Sequence, residues 1–235
     1  MTVRTLMTNS TDVLELFTAR HSNYDRFIRA VRYPQGLRSF FRQTPLLRPG
    51  MRILDAGCGT GVVTIALHDA LVRNGLSPSA LHAFDLAPTM LNHFQQKLER
   101  RGIDLIATTQ ADILQLENLP QDWTEYDLIV SASMLEYIPP ERLPEALAAL
   151  RDRLADRGHL LVFMTKRNWL MRPLVGWWWR CNVYGKKELL TAFQQAGFTQ
   201  VRFGAFPLAA RYLAAWGHIV EARKPGRSTA QQGNW

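Results

Sequence analysis

Ile53-Leu54-Asp55-Ala56-Gly57-Cys58-Gly59-Thr60-Gly61 is the stretch on which the fold assignment depends. It joins a predicted buried strand, 51–57, to a segment with helical periodicity, 62–74. Three alternating glycines let the backbone turn tightly and approach a ligand without obstruction by side chains. Amide groups at the first turn of the following helix favour negative charge or polar acceptors. The stretch therefore predicts a ligand-binding turn, and the competing interpretation is a glycine-rich turn that binds nothing.

On either side of this turn, apolar strands and helical segments alternate along the chain of 235 residues. Such alternation predicts a parallel sheet with helices on both of its faces. The expected fold is α/β and doubly wound, with a mostly parallel seven-stranded sheet and an N-terminal helical cap. The predicted strands are 51–57, 80–85, 104–112, 126–133, 159–165, 199–206 and 216–224, and the predicted helices are 10–44 in two or three pieces, 62–74, 88–102, 143–158 and 186–197.

The spacing of the glycines separates two cofactor classes. In the dinucleotide fingerprint the third glycine comes three residues after the second, whereas here Gly61 follows Gly59 by two residues and Val62 occupies the dinucleotide position. Asp55 precedes the first glycine, and the pattern D-x-G-x-G-x-G resembles the first motif of class I S-adenosylmethionine-dependent methyltransferases. The resemblance covers about residues 50–223 and points to the small-molecule, ubiquinone-type branch. It implies a Rossmann-like fold and S-adenosyl-L-methionine as the cofactor.

Two further acids fit this family. Asp85 ends the second predicted strand, 24 residues after Gly61, where a carboxylate can accept two hydrogen bonds from a ribose diol. The run 85–91, DLAPTML, resembles the family's D-x-S-x-x-M-L stretch, with Ala87 in place of serine. Asp112 closes the third predicted strand, where the family's acid accepts from the adenine amino group; the alternative role of Asp112 is a helix or loop cap. By this resemblance the cofactor-binding residues are Asp55, Gly57, Cys58, Gly59, Gly61, Asp85, Leu86, Met90, Asp112, Ile113 and Ser131.

No catalytic residue follows from the motifs alone, because alignment of the acceptor with the S–CH3 bond can supply much of the rate. Three residues are candidates for a general base or for closing the site. Tyr24 lies in a stretch that resembles the family's N-terminal "YD" stretch, and simple helix packing is an equally favoured role for it. Glu136 and Tyr137 lie in the loop after the fourth predicted strand. The predicted acceptor-binding residues are Tyr24, Met134, Tyr137, Arg167, Trp169 and Trp177.

The net charge of +8 is distributed unevenly along the chain. Residues 1–50 carry a net charge of +5 and residues 166–235 carry +9, whereas residues 51–165 carry −6. In the fold that the family implies, the N-terminal cap and the loop after the fifth strand border the acceptor site. That loop, 166–185, is rich in Trp and Arg. We therefore expect a small apolar or aromatic acceptor that carries a carboxylate or phosphate, with the methylated atom undetermined.

Three interpretations of residues 166–185 stay open. The Trp side chains line the acceptor pocket, or Trp and Arg anchor the protein at an anionic membrane surface, where it methylates a lipid or quinone. In the third interpretation the segment is lid and core packing with solvated Arg side chains.

The basic flanks also suit RNA, but Ser131-Ala132-Ser133-Met134 replaces the Asn/Asp-Pro-Pro-Tyr/Phe motif typical of enzymes that methylate exocyclic amines of nucleic acids. Nucleic acid is not an expected partner.

The predicted organisation is a helical cap (1–49), a methyltransferase domain (50–224) that contains the insertion 166–185, and a flexible tail (225–235). Two cysteines give neither zinc spacing nor a disulfide framework, so no metal site is expected and a reducing cytoplasm is the expected location. The N-terminus lacks the apolar core of a signal peptide, and no run of 18 apolar residues predicts a membrane span. The sequence does not determine the oligomeric state.

Overall fold

A computed structural model describes residues 32–167 and 181–226. Within these ranges, strands and helices alternate as the sequence predicts. The strands are β1 (Arg52–Ala56), β2 (Ala80–Asp85), β3 (Ile106–Gln110), β4 (Tyr126–Ala132), β5 (Leu154–Thr165), β6 (Gln200–Gly204) and β7 (Gly217–Arg223). The α-helices are α1 (Tyr33–Gln43), α2 (Val62–Arg73), α3 (Pro88–Arg101), α4 (Leu143–Arg153) and α5 (Lys186–Gln195).

The seven strands form one sheet in the order β3-β2-β1-β4-β5-β7-β6. Strands β1 to β5 pair in parallel, and β7 is antiparallel to both of its neighbours, β5 and β6. This arrangement confirms the predicted Rossmann-like, mostly parallel sheet. The strand order reverses between β1 and β4, and in open α/β sheets the crevice at such a point, outside the carboxyl ends of the strands, is the usual ligand site.

The sheet separates two apolar cores, because successive side chains of a strand point to opposite faces. In β1, for example, Ile53 belongs to one core and Leu54 to the other. The core with Leu54 packs against α4 and α5, whereas the core with Ile53 packs against α1, α2 and α3. Both faces are therefore covered, as a parallel sheet requires.

Helix α1 is the described part of the predicted N-terminal cap. It packs edge-to-face through Phe40 and Phe41 against Phe163 near the carboxyl end of β5, with ring centroids 5.4 and 6.0 Å apart. At Gly36 the helix approaches Leu213 so closely that a Cβ there would lie 2.1 Å from the leucine side chain. The cap residues 1–31, the insertion residues 168–180 and the tail residues 227–235 lie outside the described residues.

The structure corrects the predicted helix 143–158. Helix α4 ends at Arg153, and the chain passes directly into β5 at Leu154. Leu154 is fully buried and pairs with Tyr126 at the start of β4, so the sheet already contains the chain before Gly158. Among the described residues, four 3-10 segments were also not predicted: Leu116–Asn118, Leu135–Tyr137, Pro140–Arg142 and the longer Leu208–Ala215.

Candidate functional site

The glycine turn connects β1 to α2 at the carboxyl edge of the sheet. All three of its glycines have positive φ angles, 74° at Gly57, 52° at Gly59 and 79° at Gly61, a conformation that other residues adopt only with strain. The amides of Gly57 and Cys58 both donate to the Phe84 carbonyl at 2.9 Å. These bonds fasten the turn to β2 and bring it beside the end of that strand.

The three glycines face different surroundings. A Cβ at Gly57 would lie 2.3 Å from the Met134 side chain, and a Cβ at Gly61 would lie 2.0 Å from the Phe94 ring. A Cβ at Gly59 would meet no atom of the described residues within 4 Å. Gly57 and Gly61 are therefore needed for packing, whereas the open side of Gly59 is a space that a ligand can fill.

Asp85 lies beside this open space. Its Oδ2 accepts a hydrogen bond from the Gly59 amide at 2.7 Å, and its Oδ1 accepts one from the Ala87 amide at 2.9 Å. Burial raises the pKa of the Asp85 carboxyl above its usual range, while these backbone donors act in the opposite direction. The structure thus brings together the central glycine and the acid that the sequence singled out separately, 26 residues apart.

Asp55 lies below the turn and is fully buried. Its Oδ2 accepts a hydrogen bond from the Thr64 hydroxyl of α2 at 2.5 Å, and its Oδ1 has no hydrogen-bond partner among the described residues. Burial, and then the nearby Asp85 carboxylate, raise the pKa of Asp55 from 3.8 to about 7, although the Thr64 hydrogen bond acts to lower it. This acid ties the first strand to the first helix under the turn.

The raised pKa of Asp55 predicts a pH-dependent stability. Between pH 4 and 7 the folded protein keeps a proton on Asp55 that the unfolded chain has released, so the free energy of unfolding falls as the pH rises through this window. The contribution is present below pH 4 and lost above pH 7, and it is on the order of 2–4 kcal/mol. Urea denaturation between pH 4 and 8 should show a smaller decline for Asp55→Asn than for the unsubstituted protein; equal declines would contradict this assignment.

The remaining predicted cofactor residues surround the ends of β2, β3 and β4. Asp112 follows β3 and is half-buried; its Oδ1 accepts from the Leu114 amide at 2.9 Å, which is the loop cap that the sequence left open as an alternative. Leu86 is half-buried, and its carbonyl accepts from the Gln110 side chain at 3.0 Å. The side chains of Cys58, Met90 and Ile113 are buried in or against the core, and Ser131 in β4 is fully buried, with no hydrogen bond from its hydroxyl to a described residue.

The loop after β4 crosses above the glycine turn. Met134 precedes the 3-10 turn Leu135–Tyr137 and packs against Gly57. Tyr137 is 8% exposed and Glu136 is 2% exposed. Met134 is thus a predicted acceptor residue that contacts the glycine turn, through Gly57.

Glu136 has a different environment from that of a general base facing an acceptor. Its carboxylate accepts hydrogen bonds from the Thr165 amide and, at 3.0 Å, from the Thr165 hydroxyl, and the Cys181 thiol also bonds to it. Burial raises the pKa of Glu136 from 4.5 to about 7, against the lowering effect of these donors. The group holds backbone segments together and is shielded from solvent.

Arg167 is the described basic residue of the predicted acceptor set. Its guanidinium donates to Glu188 in α5 at 2.8 Å, with both side chains about half exposed. Its amide donates to the Tyr184 carbonyl at 3.1 Å. The predicted residues Tyr24, Trp169 and Trp177 lie outside the described residues.

Sequence reasoning missed the residues that support the turn from α3. Phe94 fills the space that Gly61 leaves free, and the Lys97 ammonium donates to the Thr60 carbonyl at 3.0 Å. The two residues are separated by nearly one helical turn, so they lie on one face of α3. The spacing of Phe94 and Lys97 can be read from the sequence, but the sequence does not show that this face of α3 packs against the glycine turn.

No group of three or more His, Cys, Asp or Glu side chains in 32–167 and 181–226 is arranged to hold a metal ion. In the same ranges, no helix has the length and apolar character needed to cross a membrane.

Comparison with known proteins places these features in a family context. Residues 53–158 match the family described as "Methyltransferase domain". The malonyl-[acyl-carrier protein] O-methyltransferase of Anoxybacillus flavithermus is 30% identical over 145 residues, which are 62% of this chain and 49% of that protein. A highly reducing polyketide synthase of Gibberella fujikuroi is 32% identical over 145 residues, covering 59% of this chain and 6% of the synthase. The chain thus spans half or less of the length of these relatives.

A solved structure resembles the whole arrangement. Magnesium protoporphyrin IX methyltransferase from Synechocystis PCC 6803, with S-adenosylhomocysteine bound, aligns with a TM-score of 0.65 at 20% identity. The alignment covers 92% of this chain and all of that one. At this level of identity the likeness establishes a shared fold.

Proposed function

We propose that this chain, whose residues 53–158 match the methyltransferase-domain family, is a class I S-adenosylmethionine-dependent methyltransferase that transfers the methyl group of S-adenosylmethionine to a small apolar or aromatic acceptor that carries an anionic group. The observation that carries this proposal is the hydrogen bond between Asp85 and the Gly59 amide beside an open space. It combines a carboxylate that can accept from a ribose diol with backbone that a ligand can approach closely.

In this proposal the cofactor lies across the carboxyl ends of β1, β2 and β4. Asp85 accepts from the ribose hydroxyls while it continues to hold the glycine turn. Asp112 and Ile113 border the adenine, and Ser131 lies toward the methionine part. When bound, the cofactor supplies an electrophilic methyl on a sulfonium. The protein's task is then to align the acceptor atom with that methyl and to exclude water.

The acceptor is proposed to enter above the ends of β4 and β5. Met134 contributes an apolar side chain there, and Lys166 and Arg167 contribute positive charge at the start of the basic, Trp-rich segment. Part of the Arg167 charge is neutralised by Glu188, so a second cation must contribute to holding an anionic acceptor. The exposed Lys187, at the first turn of α5, is a candidate for this, whereas the Lys186 ammonium lies over the Phe203 ring, 5.2 Å from its centroid.

Calorimetric titration with S-adenosylhomocysteine and with NAD tests the cofactor class. We expect binding of S-adenosylhomocysteine and none of NAD, because Gly61 falls at the spacing of the methyltransferase motif. Binding of NAD in preference to S-adenosylhomocysteine would refute the proposal.

Matched acceptor pairs test the acceptor class. 4-Hydroxybenzoate is compared with its methyl ester, and 12-hydroxydodecanoate with its methyl ester, by release of S-adenosylhomocysteine, so that a hydroxyl that can accept the methyl is present in both members of each pair. We expect turnover, where it occurs, to favour the anionic member of a pair by about tenfold or more, since a charge-assisted hydrogen bond to the acceptor is lost in the neutral member. Preference for the neutral member would contradict an anionic acceptor.

A second candidate is methylation of a carbon acid, which the similarity to the Gibberella polyketide synthase favours because polyketide chains carry acidic carbons between carbonyl groups. The malonyl relative favours oxygen instead, because its name describes an O-methyltransferase. Transfer of a 13C-labelled methyl distinguishes the two, since a methyl on oxygen and one on carbon differ widely in chemical shift.

A third candidate is action on a lipid or quinone at a membrane surface, favoured by the composition of residues 166–185. Co-sedimentation with vesicles that contain anionic lipid, at low salt, is the test. Failure to co-sediment would remove this candidate and leave the small-molecule proposal intact.

A further inference from the structure

The basic, Trp-rich segment begins and ends at one place on the sheet edge. Lys166 bridges to Tyr184 in parallel, and the Arg167 amide donates to the Tyr184 carbonyl at 3.1 Å. The stretch from Thr165 to Arg167 and the stretch from Cys181 to Gly185 therefore lie side by side. We call them the outgoing stem, 165–167, and the returning stem, 181–185.

Glu136 contacts both stems. Its carboxylate accepts from the amide and hydroxyl of Thr165 in the outgoing stem and from the thiol of Cys181 in the returning stem. Its backbone carbonyl accepts from the Asn182 amide at 2.8 Å. One buried side chain thus receives donors from two segments that are 16 residues apart in the chain.

The turn that carries Glu136 is also in contact with the cofactor side. Met134, two residues earlier, packs against Gly57 of the glycine turn. The Asn182 side chain adds a further bond to the same loop, donating to the Ile138 carbonyl at 2.9 Å. The loop after β4 is therefore fixed to the glycine turn at one end and to both stems at the other.

We propose that Glu136 is a positioning residue for the acceptor side of the site: its carboxylate joins the outgoing and returning stems to the turn that packs against Gly57. The assignment of this side to the acceptor rests on the function proposed above. Thr165 and Cys181 both donate to the Glu136 carboxylate, so this side chain links the two stems in addition to the direct bond from the Arg167 amide to the Tyr184 carbonyl. Cys181 and Tyr184, the titratable groups that face Glu136, are both uncharged near neutral pH because burial raises the pKa of each.

Amide hydrogen exchange of the full chain tests the proposal without any acceptor, so its outcome is independent of whether methyl transfer is found. At pH 8 the Glu136→Gln variant should exchange the amides of Thr165 and Asn182 about 10- to 100-fold faster, since a carboxylate that accepts several donors is replaced by a group with one acceptor oxygen. The affinity for S-adenosylhomocysteine, held by Asp85 and Gly59, should change by less than about threefold. Unchanged exchange in both stems would overturn the proposal, and so would equal acceleration throughout β1 and β2.

A matched pair at Cys181 keeps the proposal testable if Glu136→Gln does not fold. Cys181→Ser retains a donor to Glu136 and should leave exchange in the stems as it is, whereas Cys181→Ala should accelerate it. If the double variant Glu136→Gln/Cys181→Ala exchanges no faster than Glu136→Gln, the two residues act through one interaction, as proposed. Equal exchange in Cys181→Ser and Cys181→Ala, or additive effects in the double variant, would refute it.

Discussion

Replacing Asp85 with alanine is expected to weaken the binding of S-adenosylhomocysteine by about 10- to 150-fold, as measured by calorimetry. The estimate corresponds to the loss of charge-assisted hydrogen bonds, about 1.5–3 kcal/mol. Two effects combine in this loss. The carboxylate that we propose for the ribose hydroxyls disappears, and the Gly59 and Ala87 amides lose the acceptor that holds them at 2.7 and 2.9 Å.

Two companion variants separate these effects. Asp85→Asn retains the shape of the side chain and one acceptor oxygen, so its loss of affinity should lie between those of the unsubstituted protein and of Asp85→Ala. Asp69→Ala removes an acid from the surface of α2, where it pairs with Arg38 and Arg101, and should leave the affinity within about twofold. Full affinity in Asp85→Ala would show that Asp85 only shapes the turn, and the proposed ribose contact would then be wrong.

The fold could be predicted from the sequence because its signals are local. Alternation of apolar strands with periodic helices, such as 62–74 and 88–102, needs no knowledge of distant contacts, and the structure confirms these helices to within a residue at each end. The end of α4 could not be predicted in this way. It is set by the burial of Leu154 and its pairing with Tyr126, a contact between segments 28 residues apart, which no local pattern contains.

The distinction between local signals and contacts between distant segments also applies to the site. Gly59 and Asp85 could be singled out because the motif fixes their places at the ends of consecutive strands, and the hydrogen bond between them follows from that placement. Glu136 was a reasonable candidate base on its position alone. Its hydrogen-bond partners are Thr165 and Cys181, 29 and 45 residues later in the chain. The burial that raises the pKa of its carboxyl is likewise visible only in the folded structure.

A pair of glycine variants should separate binding from folding at the turn itself. In Gly61→Ala the new Cβ would lie 2.0 Å from the ring of Phe94, which is fully buried. The ring must move, and the residue must also hold a φ of 79°. Together these changes should lower the free energy of unfolding by about 3 kcal/mol or more, visible in urea denaturation.

In Gly59→Ala the new Cβ would enter open space, so the free energy of unfolding should fall by only the cost of a positive φ, about 1–2 kcal/mol. Affinity for S-adenosylhomocysteine should nevertheless fall by about tenfold or more, because the methyl fills the space that we assign to the cofactor. The double variant Gly61→Ala/Phe94→Leu, in which a smaller side chain faces the new Cβ, should recover part of the stability that Gly61→Ala loses. If Gly59→Ala binds normally while Gly61→Ala does not, the ligand lies on the Phe94 side of the turn, and the cofactor site proposed beside Asp85 would have to be abandoned.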